Sequence, residues 1–520
     1  MRWVLEAELL IAIIVIPFIT AWAAAMVTSS SFRARVQTFG SAVEFFLVLW
    51  ALYLMFERSG EPLVLRSGWL VLDALGGFMI FLISGIGLLA TLYGIPYMEE
   101  EFREGRFSAA AYRRYVFLFH AFLGTMIVTA MVMNIGLLWV GIELTTLISA
   151  LSVAFYGRAT SLEAAWKYVL MGGVGLTLAL LGIIFVYVAT TTVPELKTQA
   201  LDWQVLHDTR NLLDPNWMLL AFVLMLVGYG TKAGLAPFHF WLPDAHSEAP
   251  SPVSGVLSAL LLNTALLGLL RMLAMMPEAL LAEAHTLLRT IGIFSLVFAV
   301  PFIFVQRDIK RLLAYSSVEH MGMIVLALGV GGLSGTFAAL LHMLNHSVVK
   351  SLAFFSAGRI SQVYGTKRIA QLKGIQKTMP FVGSIWFLAM LGAAGTPPFN
   401  VFLSEWLIMR ALFMDGHVML GVLMIVSVVL VFAAFVIVAL GILYGASEGD
   451  AKQIVSHHAL KEDRTFMKEH RMFKAVPHTV GRTSFGMGVS FIVLALYVLI
   501  GGVMVPGFLT TLIQWAVALF

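Results

Sequence analysis

Residues 237–252 read Pro237-Phe238-His239-Phe240-Trp241-Leu242-Pro243-Asp244-Ala245-His246-Ser247-Glu248-Ala249-Pro250-Ser251-Pro252. Four prolines and four ionisable side chains fall within these sixteen residues, at the end of the apolar run 217–239. Proline has no amide donor and clashes with the preceding turn, so a helix entering from that run cannot continue. Broken backbone at membrane depth survives only where protein or a water-lined cavity satisfies the freed groups. The stretch therefore reads as a re-entrant turn where a broken span meets one surface, and as a candidate proton entrance. Asp244 and His246 either conduct there or cap.

The rest of the chain supplies the membrane. Of 520 residues 60% are hydrophobic and 12% charged, with mean hydropathy +0.91, whereas soluble proteins average about 25% charged. Apolar runs of about 20 residues, each able to cross about 30 Å of hydrocarbon, recur from end to end. They predict an all-α polytopic membrane protein with about fourteen transmembrane helices: 4–27, 36–56, 71–95, 112–133, 135–156, 163–190, 217–239, 252–276, 286–306, 311–331, 333–358, 380–413, 417–446 and 485–516. The first run lacks a cleavage pattern and is expected to stay as a span rather than a removed signal.

Lys and Arg total 33. With both termini placed outside, most fall in inner loops, including Arg33, Arg103, Arg106, Arg158, Lys310, Arg311 and Lys367, while Arg58, Arg66, Lys197, Arg271 and Arg410 fall outside. Lys167, Lys232 and Lys350 remain within spans. The basic residues sit in short loops, which does not indicate nucleic acid. The loop 447–483 carries His457, His458, His470 and His478 and reads as a solvated basic loop rather than a metal site. The absence of cysteine excludes thiolate-held iron–sulfur or zinc and disulfides within the chain.

A faint internal repeat is present. Gly234-Leu235-Ala236-Pro237-Phe238 in span seven echoes Gly395-Thr396-Pro397-Pro398-Phe399 in span twelve. Interruptions at corresponding places in two halves point to an inverted-repeat transporter. We expect two inverted five-helix repeats with helices 7 and 12 broken. The segments are 1–110 for helices 1–3, 111–280 for helices 4–8, 281–446 for helices 9–13, and 447–520 for the inner loop and helix 14. Looser matches pair Ile142-Glu143 with Val318-Glu319, and Lys167 with Lys350.

A charge at the bilayer centre costs at least about 2.5–3.5 kcal/mol, and such residues usually pair or line a water path. Glu143 lies mid-span, and Lys232 just before the break of span seven. Each would respond to the other's charge, so a proton arriving at one could expel a proton from the next; a static ion pair that fixes packing is the alternative. His342, His346 and Lys350 are spaced by four, which advances only about 40° per step around a helix. Histidine titrates near neutral pH and relays protons through either ring nitrogen. Zinc at His342 and His346 is the rival, though no carboxylate of that helix completes a ligand set. Glu319, His320 and Glu405 extend the chain of groups, and His239 lies beside the first break. Lys167 and His239 are further proton-transfer candidates, though Lys167 can equally pair with Glu163 one turn away. Glu44 stands alone in span two, and His120 in span four has no assigned role.

The run from Lys232 to Ser254, together with Leu312-Leu313-Ala314-Tyr315-Ser316-Ser317-Val318-Glu319-His320-Met321-Gly322, resembles the signature of antiporter-like subunits. These occur in respiratory complex I, multi-subunit sodium/proton antiporters and membrane-bound group 4 hydrogenases. Ile142-Glu143-Leu144-Thr145-Thr146, Ser161 to Tyr168 and Leu261-Leu262-Asn263 make the chain most similar to the hydrogenase-4 component F type, and no long lateral helix is expected after span fourteen.

The resemblance implies a fourteen-helix core with a central row of polar residues. In it Glu143 is the span-five glutamate, Lys232 its span-seven partner, His320, His342, His346 and Lys350 the groups of spans ten and eleven, and Glu405 the terminal carboxylate. Where many members have a lysine in span eight this chain has Asn263, so the link between halves must use water, a histidine or another subunit. The implied function is proton translocation in a complex-I-related respiratory or hydrogenase complex. Other membrane subunits and a peripheral redox module would be the partners, with iron–sulfur and metal or flavin centres there and no cofactor in this chain. The setting would be the plasma (inner) membrane of a prokaryote. A cation/proton antiporter or ion-uptake assembly without electron transfer is the alternative, and a structural or quinone-binding membrane anchor whose buried charges only hold helices together is a third.

Overall fold

The computed structural model describes residues 2–65, 70–191, 193, 196, 199–445 and 483–520, with side chains from residue 6 onward. Arg66, Lys197 and the four histidines of the loop 447–483 lie outside the described residues.

Helices α1 (Arg2–Met26), α2 (Ser30–Glu57), α3 (Ala74–Arg103), α4 (Ala109–Met131), α5 (Ile135–Val153) and α6 (Ala159–Thr190) run in succession. After them come the short α7 (Trp203–Asp208), then α8 (Pro215–Ala233), α9 (Trp241–Glu248), α10 (Ser251–Val256) and α11 (Leu262–Ala274). The second part holds α12 (Leu281–Val305), α13 (Ile309–Val330), α14 (Gly332–Tyr364), α15 (Ile375–Thr378), α16 (Pro380–Ala393), α17 (Asn400–Met414), α18 (Val418–Tyr444), α19 (Phe485–Ile500) and α20 (Gly507–Val517). A two-residue antiparallel pairing, β1 (Leu63–Val64) with β2 (Val71–Leu72), closes the loop after α2 and was not expected from the sequence.

Eleven helices among the described residues are long and apolar enough to cross a membrane. The expected span eleven is α14, whose His342, Asn345, His346 and Lys350 dilute its hydropathy. Span twelve is divided into α16 and α17, as its glycine and prolines require. Span fourteen is also divided, into α19 and α20, where the sequence reading took one continuous helix; Pro506 stands immediately before the second piece.

The expected break of span seven is present. α8 stops at Gly234, whose φ of +80° suits a residue without Cβ, and α9 resumes at Trp241. The break between α16 and α17 is built likewise, with Gly395 at φ +63°. Elsewhere small residues let helices approach closely. A Cβ at Gly228 of α8 would lie 2.6 Å from the Gly175 carbonyl of α6, and one at Gly292 of α12 would lie 2.4 Å from the Leu326 amide of α13. These contacts hold α6 against α8 and α12 against α13, so the broken α8 is gripped by the continuous α6. α10 and α11 are buried along their whole length and joined by a π turn, 257–261. They form the spine between the two broken regions.

Candidate functional site

In the first broken region the Lys232 ammonium is fully buried at the last turn of α8. It donates to Thr146 Oγ1 of α5 at 2.7 Å and to the Tyr168 hydroxyl of α6, and lies 4.4 Å from the Tyr168 ring centroid. Tyr168 is fixed by Ser149 Oγ at 2.7 Å and by stacking on Trp241 of α9. No ion pair joins Lys232 to Glu143 among the described residues. Glu143 instead keeps one buried carboxyl oxygen without a hydrogen-bond partner. Hydrogen bonds to a charged group contribute about 1.5–3 kcal/mol each, the same order as the cost of placing an ammonium at the bilayer centre. Lys232 is thus tolerated without a contacting counter-ion, and the static ion pair weighed from sequence is not the arrangement found. Tyr168, Thr146 and Ser149 were not singled out as functional. The visible signal was three hydroxyls, Thr145, Thr146 and Ser149, within one turn of an otherwise apolar span.

The second region is richer. His320 Nδ1 of α13 and His342 Nε2 of α14 are 2.9 Å apart, and His342 Nδ1 lies 2.9 Å from Ser404 Oγ of α17. Asn345 donates to the same Ser404 oxygen at 3.0 Å and to the Asn400 carbonyl at 2.8 Å. The His346 ring stands 5.3 Å from that of His320, and neither of its nitrogens has a partner. Lys350 donates to Ser316 Oγ and, at 3.4 Å, to the Leu313 carbonyl. Glu319 and Glu405 are buried nearby. Glu405 lies over the second break: a Cβ on Gly395 would fall 1.8 Å from its Oε2.

Between the two regions Asn263 of α11 donates to Ser347 Oγ of α14 at 2.8 Å and leaves its own oxygen unpartnered. His246 is fully buried, its ring stacked on Phe354. Buried polar groups in folded proteins are met by protein or by ordered water. The unpartnered atoms of Glu143, Asn263, Glu319 and His346 are therefore ones that ordered water would satisfy.

Two proton-transfer candidates, Lys167 and His239, and the entrance candidate Asp244 lie outside these two clusters. Lys167 is half-exposed and bridges Glu163 at 2.6 Å and Asp244 at 3.1 Å, the local pairing the sequence offered. Asp244 also binds Arg311, so both its oxygens are engaged in a rim cluster. His239 is buried among Phe240, Phe298, Phe302 and Tyr315, apart from the row. Lys167 and Lys350, matched as repeat equivalents, thus occupy unlike surroundings.

Four basic residues that charge counting places at the membrane faces, Arg33, Arg271, Lys310 and Arg359, prove buried. Lys310, in the first turn of α13, donates to the Ala249 carbonyl at 2.6 Å. It lines a polar crevice of about 160 Å³ with Glu101, Tyr97, Tyr156 and Lys367. Arg271 forms a two-pronged pair with Asp73, at 2.7 Å for the Nη2–Oδ1 contact, and lies against the Trp203 ring. Among the described residues no three His, Asp or Glu side chains converge to hold a metal ion.

Such a fold and site define a polytopic membrane protein with ionisable groups buried beside two broken helices. Residues 132–432 match the family described as NADH:quinone oxidoreductase/Mrp antiporter, transmembrane, and the chain belongs to that family. It is 37% identical over 448 residues to the hydrogenase-4 component F homolog of Methylacidiphilum infernorum, covering 86% of this chain and 92% of that one. It is 34% identical over 371 residues to NADH-quinone oxidoreductase subunit N of Desulforudis audaxviator, covering 69% and 71%. In fold it superposes on a chain of the membrane-bound sulfane sulfur reductase, an archaeal respiratory membrane complex, with TM-score 0.81 at 22% identity, covering 99% and 97%. A chain of the Mrp complex from a Dietzia species gives TM-score 0.81 at 20% identity over the same shares.

Proposed function

We propose that this antiporter-like subunit translocates protons along the row Glu143, Lys232, His346, Lys350, His320, His342 and Glu405, within a complex-I-related respiratory or hydrogenase assembly. The observation that carries the reading is the contact between His320 and His342, continued to Ser404, at the centre of the protein. An imidazole pair of this kind passes a proton by exchanging donor and acceptor nitrogens. The first region supplies a buried ammonium on neutral hydroxyls, a group whose protonation any approaching charge would alter. Asn263 neither takes up nor releases a proton near neutral pH, so water and His346 complete the passage between halves.

In this reading the inverted repeats are 111–280 and 281–446, flanked by 1–110 and 447–520. The redox centres lie on a peripheral module of partner subunits, in a prokaryotic plasma membrane with both termini outside. The relationship to the component F homolog supports a redox-driven assembly. The equally close fold of the Mrp complex supports the second reading, a cation/proton antiporter without electron transfer. Mild-detergent purification with mass spectrometry of retained subunits separates them. Co-purifying iron–sulfur and nickel- or flavin-bearing subunits are expected; finding antiporter subunits alone would overturn the redox reading.

A further inference from the structure

Outside the segment matched to the family, α1–α4 enclose a cavity of about 20 Å³ lined by Thr20, Ser41, Glu44, Ser84 and His120 among apolar residues. Glu44 is only 5% exposed, and neither carboxyl oxygen has a hydrogen-bond partner. His120 is 2% exposed, with Nε2 likewise unpartnered. Each stands near the middle of its own span, Ser30–Glu57 and Ala109–Met131, so the pair lies at depth rather than at a membrane face. They are the two titratable residues among those lining the cavity. Thr91 Oγ1 donates to the Gly87 carbonyl, so Ser41 donates to Thr91 Oγ1 at 3.1 Å and keeps its oxygen free to accept from a water.

A cavity needs about 10–15 Å³ to take a water molecule, and that water needs two to four polar partners. This one has the room for a single water and the partners for it. Hard cations favour shells of oxygen, and an imidazole nitrogen on the wall argues against such an ion. A lone carboxylate without donors is disfavoured in an apolar interior, so the carboxyl must hold a proton or share one.

We propose that one water bridges the Glu44 carboxyl to His120 Nε2, and that this unit passes a proton between the two side chains within the N-terminal helices. The proton leaves the carboxyl oxygen for the water as the water passes one of its own to Nε2, and the reverse transfer restores it; no other bond changes. The unit lies outside the matched segment and does not depend on the role of the central row.

The test is infrared difference spectroscopy of the full chain in its purified complex, perturbed by pH and by deuterium exchange. A protonated-carboxyl band is expected that disappears in Glu44→Gln, shifts in His120→Leu, and shifts less in Ser41→Ala. Identical spectra for the parent and Glu44→Gln would overturn the proposal. A band lost in Glu44→Gln but unmoved in both His120→Leu and Ser41→Ala would overturn the water bridge. Ser41→Ala removes one hydroxyl and is expected to assemble, so it carries the test if the other variants do not fold.

Discussion

His320 Nδ1 and His342 Nε2 face each other at 2.9 Å across α13 and α14. One nitrogen must donate and the other accept, so the tautomer of one ring dictates that of its neighbour. His342 Nδ1 meets Ser404 Oγ, a hydroxyl able to donate or accept. The three groups can therefore reverse their polarity together.

That reversal predicts the behaviour of His342→Gln. Glutamine keeps a polar side chain for Ser404 but cannot exchange donor and acceptor by gaining and losing a proton. Proton flux into vesicles carrying the complex should fall by about 10²-fold, the scale of a lost proton-transfer group, while assembly is retained. Unchanged flux by a pH-sensitive dye would remove the pair from the pathway.

Lys232→Met separates conduction from packing. The ammonium has hydroxyl partners and no contacting counter-ion, so an apolar side chain of similar length strands no charge. Taking a single ion out of water costs roughly several kcal/mol in a protein interior, and the apolar side chain avoids that cost. Thermal stability should hold or rise while flux is lost. A fall in stability with flux intact would make Lys232 a packing residue.

Gly395→Ala should damage the second break. The residue has φ +63°, and its new Cβ would meet the Glu405 carboxyl. The left-handed backbone alone costs about 1–2 kcal/mol, and Glu405 must also move. Lower thermal stability together with lost flux is expected. Gly234→Ala, whose Cβ would press on the flexible Leu242 side chain instead, should lose stability with less effect on flux.

Much of this arrangement is legible in the sequence, because glycine and proline at 234–237 and 395–398 forbid continuous helix. The four-residue spacing of His342, His346 and Lys350 likewise fixes a stripe. What the sequence withholds is the partner across the gap. Nothing near Lys232 in the chain names Tyr168, which arrives from another helix because Gly175 and Gly228 let α6 and α8 close together. Lys310 shows the opposite failure. Charge counting places it in a loop beside Arg307 and Arg311, whereas the first turn of α13 directs it inward to the Ala249 carbonyl. Asp73 and Arg271, nearly two hundred residues apart, carry no local sign of pairing.

Asp73 also accepts from the Gly76 amide at 2.8 Å, capping α3 while it binds Arg271. Removing one partner of a buried pair leaves the other charge uncompensated, at a cost of about 3–5 kcal/mol. Asp73→Ala is expected to destabilise the protein by that order in thermal or denaturant unfolding, with the double variant Asp73→Ala, Arg271→Met recovering part of the loss. No recovery would show that the cap, rather than the stranded arginine, dominates.

Glu248, at the end of α9 between two spans, gives a pH-dependent contribution. Burial pushes its carboxyl up, but the Lys367 ammonium at 3.0 Å and the Thr160 hydroxyl at 2.8 Å outweigh this and hold it below the usual carboxylate range. A group depressed in the folded state stabilises above its unfolded value of about 4.3 and loses that contribution as pH falls through the folded value. Glu248→Gln should therefore lower the melting temperature at neutral pH, and the difference from the parent should shrink as the pH drops below about 4. A difference that stayed constant down to that pH would show that the clamp on Lys367 acts through shape rather than charge.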